Sequence, residues 1–343
     1  MLGTVSKHAL RKELRKKLKK LGQDELNKQS HTVLHSLQKI LDQLVSPTTG
    51  PFRKECAQGT HVGVACYMNM DDSEIKTLDI IKYLFNHNTN EGQKYKVFLP
   101  RCTSTKETNQ INFRSDEDLK HQDHLTFHHM VSFKSVVELK PVGKYKLREP
   151  QVNFGKGIYE MNQDNIKSDN KSDNNHSTTI TYKESSDSTS VKVSGIKGKP
   201  IDLCTKKNND SDASTKHIHV THEKVNDKIN LYHPPPKDIQ IIIVPGLGFN
   251  VQQMSRIGHG KGYYDDYVKR HIHYHQNSND SGNTNKIVEE RPVLIGVCLK
   301  EQIVEQQLPL EKHDYLMDYI IDGSGEIYVN EASKAMDESI TNI

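Results

Sequence analysis

A run of apolar residues that leads directly into a glycine-rich segment constrains this chain more than any other feature. Residues 239–244 are apolar except for Gln240, and Pro245-Gly246 follows them at once. A short apolar run that stops at a Pro-Gly pair is typical of a buried strand that ends in a loop. The sequence therefore predicts a strand inside a sheet, with a loop at its carboxyl end.

The segment 256–264, which reads RIGHGKGYY, has the composition of a phosphate-binding loop. Three glycines at alternate positions leave the backbone free to adopt positive φ and to approach a ligand closely. Two fixed cations and one titratable ring are interleaved with them, namely Arg256, Lys261 and His259. Backbone amides combined with fixed positive charges are what a polyphosphate requires. A glycine-rich surface turn with solvated cations is the alternative interpretation.

Two common nucleotide-binding motifs are excluded. A Walker A loop has Ser or Thr after its Gly-Lys pair, whereas Gly262 and Tyr263 follow Gly260-Lys261 in this chain. The glycine spacing also differs from the G-x-G-x-x-G of dinucleotide-binding folds. A metal ligand for the phosphates must therefore come from another residue, and Asp265 is the nearest candidate.

Composition narrows the class of protein. Hydrophobic residues make up only 34% and the mean hydropathy is -0.75, which is low for 343 residues that all fold. The 47 basic and 44 acidic residues nearly cancel, which argues against a global field for nucleic acid or membranes. Five scattered cysteines without metal-ligand spacing favour a reducing compartment. Since no signal-like segment or membrane-length run is visible, we expect a soluble, cytoplasmic protein.

The order of the predicted helices and strands indicates an α/β fold. Apolar residues at helical spacing predict helices, and short apolar runs bounded by loops predict strands. The predicted elements are helices 6–21 and 24–44, strand 61–68, helix 74–85, strand 94–100, strand 239–244, helix 263–271, strand 293–299 and strand 319–321. This order predicts a single open, mostly parallel sheet flanked by helices, with ligands at the carboxyl ends of the strands.

A long polar segment interrupts this pattern. Residues 151–237 are rich in Asn, Asp, Ser and Lys, as in NQDNIKSDNKSDNNHSTT, and contain few large apolar residues. A segment of this composition buries too little apolar surface to offset the conformational entropy that it would lose on folding. We predict that residues 1–150 and 238–343 are two parts of one α/β domain. The segment between them is predicted to be a low-complexity, disordered insertion.

Charged residues outside the glycine loop are candidates for the same site. Lys7 and Arg11 lie four residues apart on the first helix, where both could reach a phosphate tail, although a solvated basic face is the alternative. Met68 and Glu74 follow the predicted strand 61–68, so they are placed to line the ligand crevice. Taken alone, Glu74 is better explained as an acid that serves a helix dipole.

Two acids in the C-terminal part are candidates for binding a cation. Asp314 and Asp318 come after the predicted strand 293–299, so either could hold a cation opposite Asp265. Acidic surface turns are common, and this observation alone is weak.

The motif RIGHGKGYYD, preceded by IIIVPGLGFN, resembles the signature of the 5-formyltetrahydrofolate cyclo-ligase family. That signature is an apolar strand, P-G-x-x-F-D, and then R-x-G-x-G-K-G-Y-Y-D. Other segments are similar to family segments, namely SKHALRKELR, YMNMDDSEIKT, FLPR, LKEQ and HDYLMD. The resemblance covers about residues 5–150 and 238–322. Asn250 stands where the family usually has Asp, and the turn 251–255 is about one residue longer than usual.

The resemblance implies an enzyme that uses ATP and Mg²⁺ to convert 5-formyltetrahydrofolate into 5,10-methenyltetrahydrofolate. ATP contacts are implied for Lys7, Arg11, Arg256, Ile257, Gly258, His259, Gly260, Lys261, Gly262, Tyr263 and Tyr264. Folate contacts are implied for Met68, Glu74, Tyr145, His259, Gly260, Lys261, Gly262 and Tyr263. Mg²⁺ is implied at Asp265 and Asp314. A monomer with no nucleic-acid or membrane partner is the corresponding expectation.

The implied reaction suits the residue types that are present. The formyl oxygen attacks the γ-phosphate of ATP, the second folate amine closes the ring, and phosphate leaves. Phosphoryl transfer mostly requires positioning and charge neutralisation, which Arg256 and Lys261 can supply as catalytic residues. Three alternatives stay open. They are another ATP-dependent ligase or phosphoryl transferase on a different small acid or amide, a non-enzymatic anion- or nucleic-acid-binding protein that uses helix 7–20, and an inactive family member.

Overall fold

The computed structural model describes thirteen stretches of the chain. They are residues 6–52, 55, 60–70, 73–89, 92–103, 123–142, 147–150, 177–183, 188–194, 203–204, 219–220, 238–278 and 291–331. The chain divides into two compact units. The first comprises residues 1–101, 127–150 and 236–343, and the second comprises residues 102–126 and 151–235.

Helices and strands both occur in these stretches, as an α/β fold requires. The helices are α1 (Lys7–Leu18), α2 (Gln23–Leu44), α3 (Leu78–Asn86), α4 (Phe133–Val137) and α5 (Tyr263–Ser278), and Lys300–Gln302 form a 3-10 helix. The strands are β1 (Val62–Ala65), β2 (Asn88–Thr89), β3 (Gly92–Gln93), β4 (Tyr95–Thr103), β5 (His124–Met130), β6 (Pro141–Val142), β7 (Leu147–Arg148), β8 (Ser177–Lys183), β9 (Ser188–Ser194), β10 (Leu203–Cys204), β11 (His219–Val220), β12 (Ile239–Val244), β13 (Gly248–Asn250), β14 (Ser255–Ile257), β15 (Val293–Val297), β16 (Tyr319–Ile321) and β17 (Ile327–Val329).

The main sheet has seven strands in the order β17-β16-β15-β12-β1-β4-β5. β1 is parallel to both β4 and β12, and the parallel pairing continues from β12 through β15 to β16. At the far edge, β17 is antiparallel to β16. The predicted α/β fold with a mostly parallel sheet and flanking helices is confirmed. The strand β12 is buried on both faces apart from Gln240, which is the pattern of a strand covered by helices on both sides.

The register places two loops at the same edge of the sheet. Ala65, the last residue of β1, pairs with Ile242, and Val244, the last residue of β12, pairs with Gly296 of β15. Because these strands are parallel, the loops that follow β1 and β12 leave from one edge. This is the edge at which the sequence predicts a ligand site.

The first helix forms as its sequence dictates. The Ser6 hydroxyl caps the helix by accepting a hydrogen bond from the backbone N–H of Ala9 at 3.2 Å, as serine commonly does at this position. The buried stripe is Leu10, Leu14 and Leu18, at helical spacing. The last turn carries three basic residues, whose positive charges interact favourably with the negative end of the helix dipole.

The third helix begins later than predicted, and this changes the role of Glu74. α3 starts at Leu78 with Thr77 at the N-cap, whereas the apolar spacing predicts a start at residue 74. Residues 74–77 instead make contacts with distant parts of the chain, such as the 3.0 Å bond from the Lys76 N–H to Ser30 Oγ. The prediction that Glu74 serves a helix dipole is therefore wrong.

The other predicted helices and strands form where the sequence places them, and only their lengths differ from the prediction. β1 ends at Ala65, although the residues up to Met68 are buried. The apolar run therefore predicts the buried residues correctly but overestimates the length of the strand. β4 continues three residues beyond Pro100 to Thr103, and α5 extends to Ser278. No helix in the described stretches is long and apolar enough to cross a membrane.

The second unit contains short antiparallel strand pairs. β8 pairs with β9 from Ser177↔Ser194 to Lys183↔Ser188, and β10 pairs with β11. These four strands fall within the segment 151–237, which is predicted to be an insertion. Most of that segment lies outside the described residues, and its disorder stays a prediction.

Candidate active site

The glycine-rich segment is a loop between a hairpin and a helix. β13 and β14 form an antiparallel hairpin, and α5 begins at Tyr263. Gly260 and Gly262 have φ values of +104° and +63°, in the region that disfavours residues with a side chain. The predicted need for glycine is thereby explained at these two positions. We call residues 258–262 the phosphate loop.

The cation at the entrance of the phosphate loop is paired with an acid after it. Nη2 of Arg256 lies 2.8 Å from Oδ2 of Asp265, and the two side chains are 8% and 12% exposed. The guanidinium also lies 5.5 Å from the ring centroid of Tyr264. Burial raises the pKa of Tyr264 well above its ordinary value, while the Arg256 charge acts in the opposite direction. Arg256 therefore joins β14 to the first turn of α5.

Lys261 has a very different environment. Its side chain is exposed at the tip of the phosphate loop. Within the described stretches it makes no hydrogen bond and no ion pair. An exposed lysine between two glycines in left-handed conformations can turn towards an anion without breaking an existing contact.

The first helix brings both predicted cations to this region. Nε of Arg11 donates to the carbonyl oxygen of Gly258 at 2.9 Å. A Cβ atom on Gly260 would lie 3.4 Å from Cζ of Arg11, so the guanidinium packs directly on the phosphate loop. Lys7 contacts acids of the C-terminal segment, with Nζ 3.0 Å from Oδ2 of Asp314 and 2.7 Å from Oε1 of Glu311. Arg11 thus contacts the phosphate loop, and Lys7 contacts the segment that carries Asp314.

The pKa of Lys7 reflects these two acids. Burial lowers it, but the hydrogen bonds and charges of Glu311 and Asp314 outweigh burial and raise the pKa above its ordinary value of 10.5. Lys7 is therefore fully charged at neutral pH.

Glu74 reaches the phosphate loop from the loop that follows β1. Its Oε1 lies 3.5 Å from Nε2 of His259, and its Oε2 accepts the backbone N–H of Met70 at 2.8 Å. The Glu74 side chain is 7% exposed and that of His259 is 39% exposed. Met68 is 9% exposed and belongs to the core cluster beside this loop. Tyr145, the remaining predicted folate contact, lies outside the described residues.

The predicted metal carboxylates lie on neighbouring segments. Oδ1 of Asp265 accepts the backbone N–H of Tyr315 at 3.2 Å, which brings the residue before it, Asp314, to the same side of the site. Asp318 is occupied elsewhere, because Arg291 binds both of its oxygens at 2.7 and 2.8 Å. Asp265 thus contacts the residue next to Asp314, whereas Asp318 is paired with Arg291.

The donor set suits a magnesium ion that is shared with a substrate. Among the described residues, no group of three His, Cys, Asp or Glu side chains could hold a metal. Magnesium is commonly held by one or two carboxylates together with substrate phosphates and water. Asp265 and Asp314 fit that pattern, and they do not fit a metal site made of protein ligands alone.

Three side-chain amides, to which the sequence assigns no role in the site, hold the segments around it together. Nε2 of Gln302 donates to the carbonyl of Gly246 at 2.6 Å, and its Oε1 accepts the N–H of Leu299 at 2.7 Å. Asn250 and Gln253 bind the segment after Gln302 through their side chains. Gln302 belongs to the LKEQ segment, which is the only sequence signal that could have pointed to it.

Comparisons with known proteins point to one family of enzymes. The model of the 5-formyltetrahydrofolate cyclo-ligase family matches residues 202–323. A 5-formyltetrahydrofolate cyclo-ligase of Saccharomyces cerevisiae is 28% identical over 324 residues, which cover 94% of this chain and 98% of the relative. Over the matched residues, the chain is therefore similar to the 5-formyltetrahydrofolate cyclo-ligase family. The resemblance seen in the sequence is confirmed, as is the expectation of an enzyme of the cyclo-ligase class.

Two further relatives match over a shorter length. A probable 5-formyltetrahydrofolate cyclo-ligase of Schizosaccharomyces pombe is 35% identical over 85 residues, covering 24% of this chain and 37% of the relative. A 5-formyltetrahydrofolate cyclo-ligase of Mus musculus is 36% identical over 83 residues, covering 24% of this chain and 34% of the relative.

Proposed function

We propose that this protein, like the cyclo-ligases it is similar to, converts 5-formyltetrahydrofolate into 5,10-methenyltetrahydrofolate and consumes ATP, releasing ADP and phosphate. The observation that carries the proposal is the convergence on one loop at the sheet edge. Arg11 contacts the phosphate loop from α1, and Glu74 contacts it through His259 from the loop after β1. The exposed Lys261 follows these two contact points in the same loop. One loop can therefore serve a nucleotide and a second substrate together.

The phosphate loop, with Lys7 and Arg11, would bind ATP. Its backbone amides and the Lys261 ammonium are the groups that can neutralise charge on the γ-phosphate during transfer. Arg256 is held by Asp265 and therefore contributes through the position of the loop and of α5 as well as through its charge.

Asp265 and Asp314 would hold Mg²⁺ together with phosphate oxygens of the nucleotide. When bound, the ion would neutralise phosphate charge and orient the γ-phosphate for in-line attack. Asp314 is bonded to Lys7, so the carboxylate predicted for the metal and the lysine predicted for the phosphates are already adjacent at 3.0 Å.

The chemistry proceeds in two balanced steps. The formyl oxygen attacks the γ-phosphorus of ATP, and the bond from that phosphorus to the oxygen of the β-phosphate breaks, so ADP leaves. The amine at the second folate nitrogen then attacks the activated carbon, loses its proton, and expels phosphate with the former formyl oxygen. The protein needs no covalent nucleophile, because the formyl oxygen itself is the nucleophile.

The folate is proposed to lie on the side of the phosphate loop that faces Glu74 and His259. Glu74 is buried and its orientation is fixed by the N–H of Met70, so its second oxygen points to His259. A carboxylate that is oriented in this way can recognise N–H donors of a pterin-like ring. The monomeric state and the cytoplasmic location stay predictions.

The test is the formation of the methenyl product, followed by its near-ultraviolet absorbance. The expected result is product only when 5-formyltetrahydrofolate, ATP and Mg²⁺ are all present. ADP release with other small acids or amides, and none with the formyl folate, would favour another ligase or phosphoryl transferase. Absence of turnover together with salt-sensitive RNA binding would favour a nucleic-acid-binding protein that uses α1. If the protein shows neither turnover nor RNA binding, the result would indicate an inactive relative of the cyclo-ligases.

A further inference from the structure

The β13–β14 hairpin connects the two segments that carry the predicted metal carboxylates. β14 continues through the phosphate loop into α5, where Asp265 lies in the first turn. The other segment, residues 303–317, contains Asp314 and is bonded to the hairpin at both of its ends. We call residues 248–257 the hairpin clamp.

A buried amide joins the clamp to the near end of segment 303–317. The backbone carbonyl of Phe249 accepts the N–H of Val304 at 2.8 Å. Nδ2 of Asn250 donates to the carbonyl oxygens of residues 304, 305 and 306 at 3.0, 3.2 and 3.1 Å. Oδ1 of Asn250 accepts the N–H of Gln253 at 2.7 Å. Asn250 is only 1% exposed, so these bonds replace its contacts with water.

The clamp also reaches beyond Asp314. Oε1 of Gln253 accepts the N–H of Leu308 at 2.7 Å. The carbonyl of Met254 accepts the N–H of Met317 at 2.7 Å, with Met254 in a left-handed conformation at φ +50°. Segment 303–317 is therefore fixed to the clamp on both sides of Asp314.

The two segments that carry the carboxylates are joined directly by one hydrogen bond. The N–H of Tyr315 binds Asp265 at 3.2 Å, so the separation of Asp265 and Asp314 depends on where segment 303–317 lies relative to β14. We propose that Asn250 and Gln253 are positioning residues that set this separation and thereby determine the affinity for Mg²⁺-ATP. The inference rests on the proposed function for the identity of the ligand.

An aspartate could not replace Asn250 in this network. It would keep the bond from the Gln253 N–H, but it has no N–H to donate and would place negative charge against three carbonyl oxygens.

The experiment measures ATP binding calorimetrically with and without Mg²⁺, and turnover as a function of free Mg²⁺. The variants are Asn250→Asp, Asn250→Ala and Gln253→Ala. Residues that orient metal ligands typically change metal affinity by roughly tenfold to a hundredfold. We expect a loss of that size in affinity for Mg²⁺-ATP and in the Mg²⁺ concentration for half-maximal turnover. Affinity for ATP without Mg²⁺ and the KM for 5-formyltetrahydrofolate should stay unchanged.

Gln240→Ala is the matched control. The Oε1 atom of Gln240 accepts the N–H of Gly63 at 2.6 Å near the amino end of β12, away from the phosphate loop. This variant loses an amide contact of the same kind, and we expect it to change unfolding without changing the Mg²⁺ dependence. Gln253→Ala, which removes a different bond of the clamp, keeps the test usable if the Asn250 variants do not fold.

The outcomes separate the two proposals. Unchanged Mg²⁺ dependence in the clamp variants, or an equal loss in Gln240→Ala, overturns the positioning role. A wild-type chain that binds Mg²⁺-ATP but does not convert the formyl folate overturns the proposed function, while calorimetry of the variants still decides the role of the clamp. A wild-type chain that does not bind Mg²⁺-ATP overturns both.

Discussion

Arg256 and Asp265 form a largely buried ion pair across the phosphate loop, with Nη2 of the arginine 2.8 Å from Oδ2 of the aspartate. A cation predicted to contact phosphate and an acid predicted to hold a metal are thus each other's partner. The pair closes the loop at its base and fixes the first turn of α5 relative to β14. Lys261, at the exposed tip, is the fixed cation of the loop that is available to a ligand.

The Arg256→Met variant tests this pair. Removing one partner of a buried pair leaves an uncompensated charge, which typically costs about 3–5 kcal/mol. We expect a loss of that order in the free energy of unfolding, measured with urea. The double variant Arg256→Met/Asp265→Leu should recover much of it, since no charge is left unpaired. A loss below about 1 kcal/mol in the single variant would mean that the pair behaves like an exposed ion pair.

Lys261→Ala should affect catalysis and leave folding unchanged. Losing one donor to the transition state typically lowers kcat by a factor on the order of 10²–10³. The free energy of unfolding should stay the same because the Lys261 side chain is exposed and makes no described contact. Lys39→Ala, which removes a lysine on α2, is the control and should keep full activity. Turnover like that of the wild type in Lys261→Ala would contradict its role in phosphoryl transfer.

Gly262→Ala isolates the conformational requirement of the loop. No atom lies within 4 Å of a Cβ built at this position, so only the φ of +63° opposes a side chain. A left-handed conformation costs an ordinary residue about 1–2 kcal/mol, and Asn tolerates it better than Ala. We expect weaker ATP binding and lower stability in Gly262→Ala, with partial recovery in Gly262→Asn. Equal effects of the two substitutions would show that the left-handed conformation is not what matters.

The contact between Lys7 and the C-terminal acids should depend on pH at the alkaline end. Despite burial, Glu311 and Asp314 raise the pKa of Lys7 in the folded protein above 10.5. A raised lysine pKa contributes stability that is complete below the unfolded value and is lost as pH rises through the folded value. The difference in unfolding free energy between wild type and Lys7→Met should be constant from neutral pH to about 10, and it should shrink above 10.5. A difference that disappears already near pH 8 would contradict the assigned ion pairs.

Much of the fold could be predicted because its signals are local. β12 and β16 have the bounds that their apolar runs predict, and the Ser6 cap follows from residue type alone. The start of α3 could not be predicted, because residues 74–77 are held by partners elsewhere in the chain. A periodic apolar pattern does not report such contacts.

The candidate site likewise has features that the sequence predicts and features that only the folded structure shows. The phosphate loop and its flanking acids were visible as residue types at fixed spacing. The partner of Arg256 was not, since one cation can meet phosphate or carboxylate and only the folded loop decides between them. The role of Asn250 was hidden for a further reason: its acceptors are backbone carbonyls 54 to 56 residues away, which leave no trace in side-chain identity.

The most direct test follows the oxygen atom of the formyl group. 5-Formyltetrahydrofolate labelled with ¹⁸O in that group is converted by the wild-type protein with ATP and Mg²⁺, and the released phosphate is analysed by mass spectrometry. Attack of the formyl oxygen on the γ-phosphate predicts one ¹⁸O atom in the phosphate for each methenyl product formed. Unlabelled phosphate, with the label released to water, would contradict that attack.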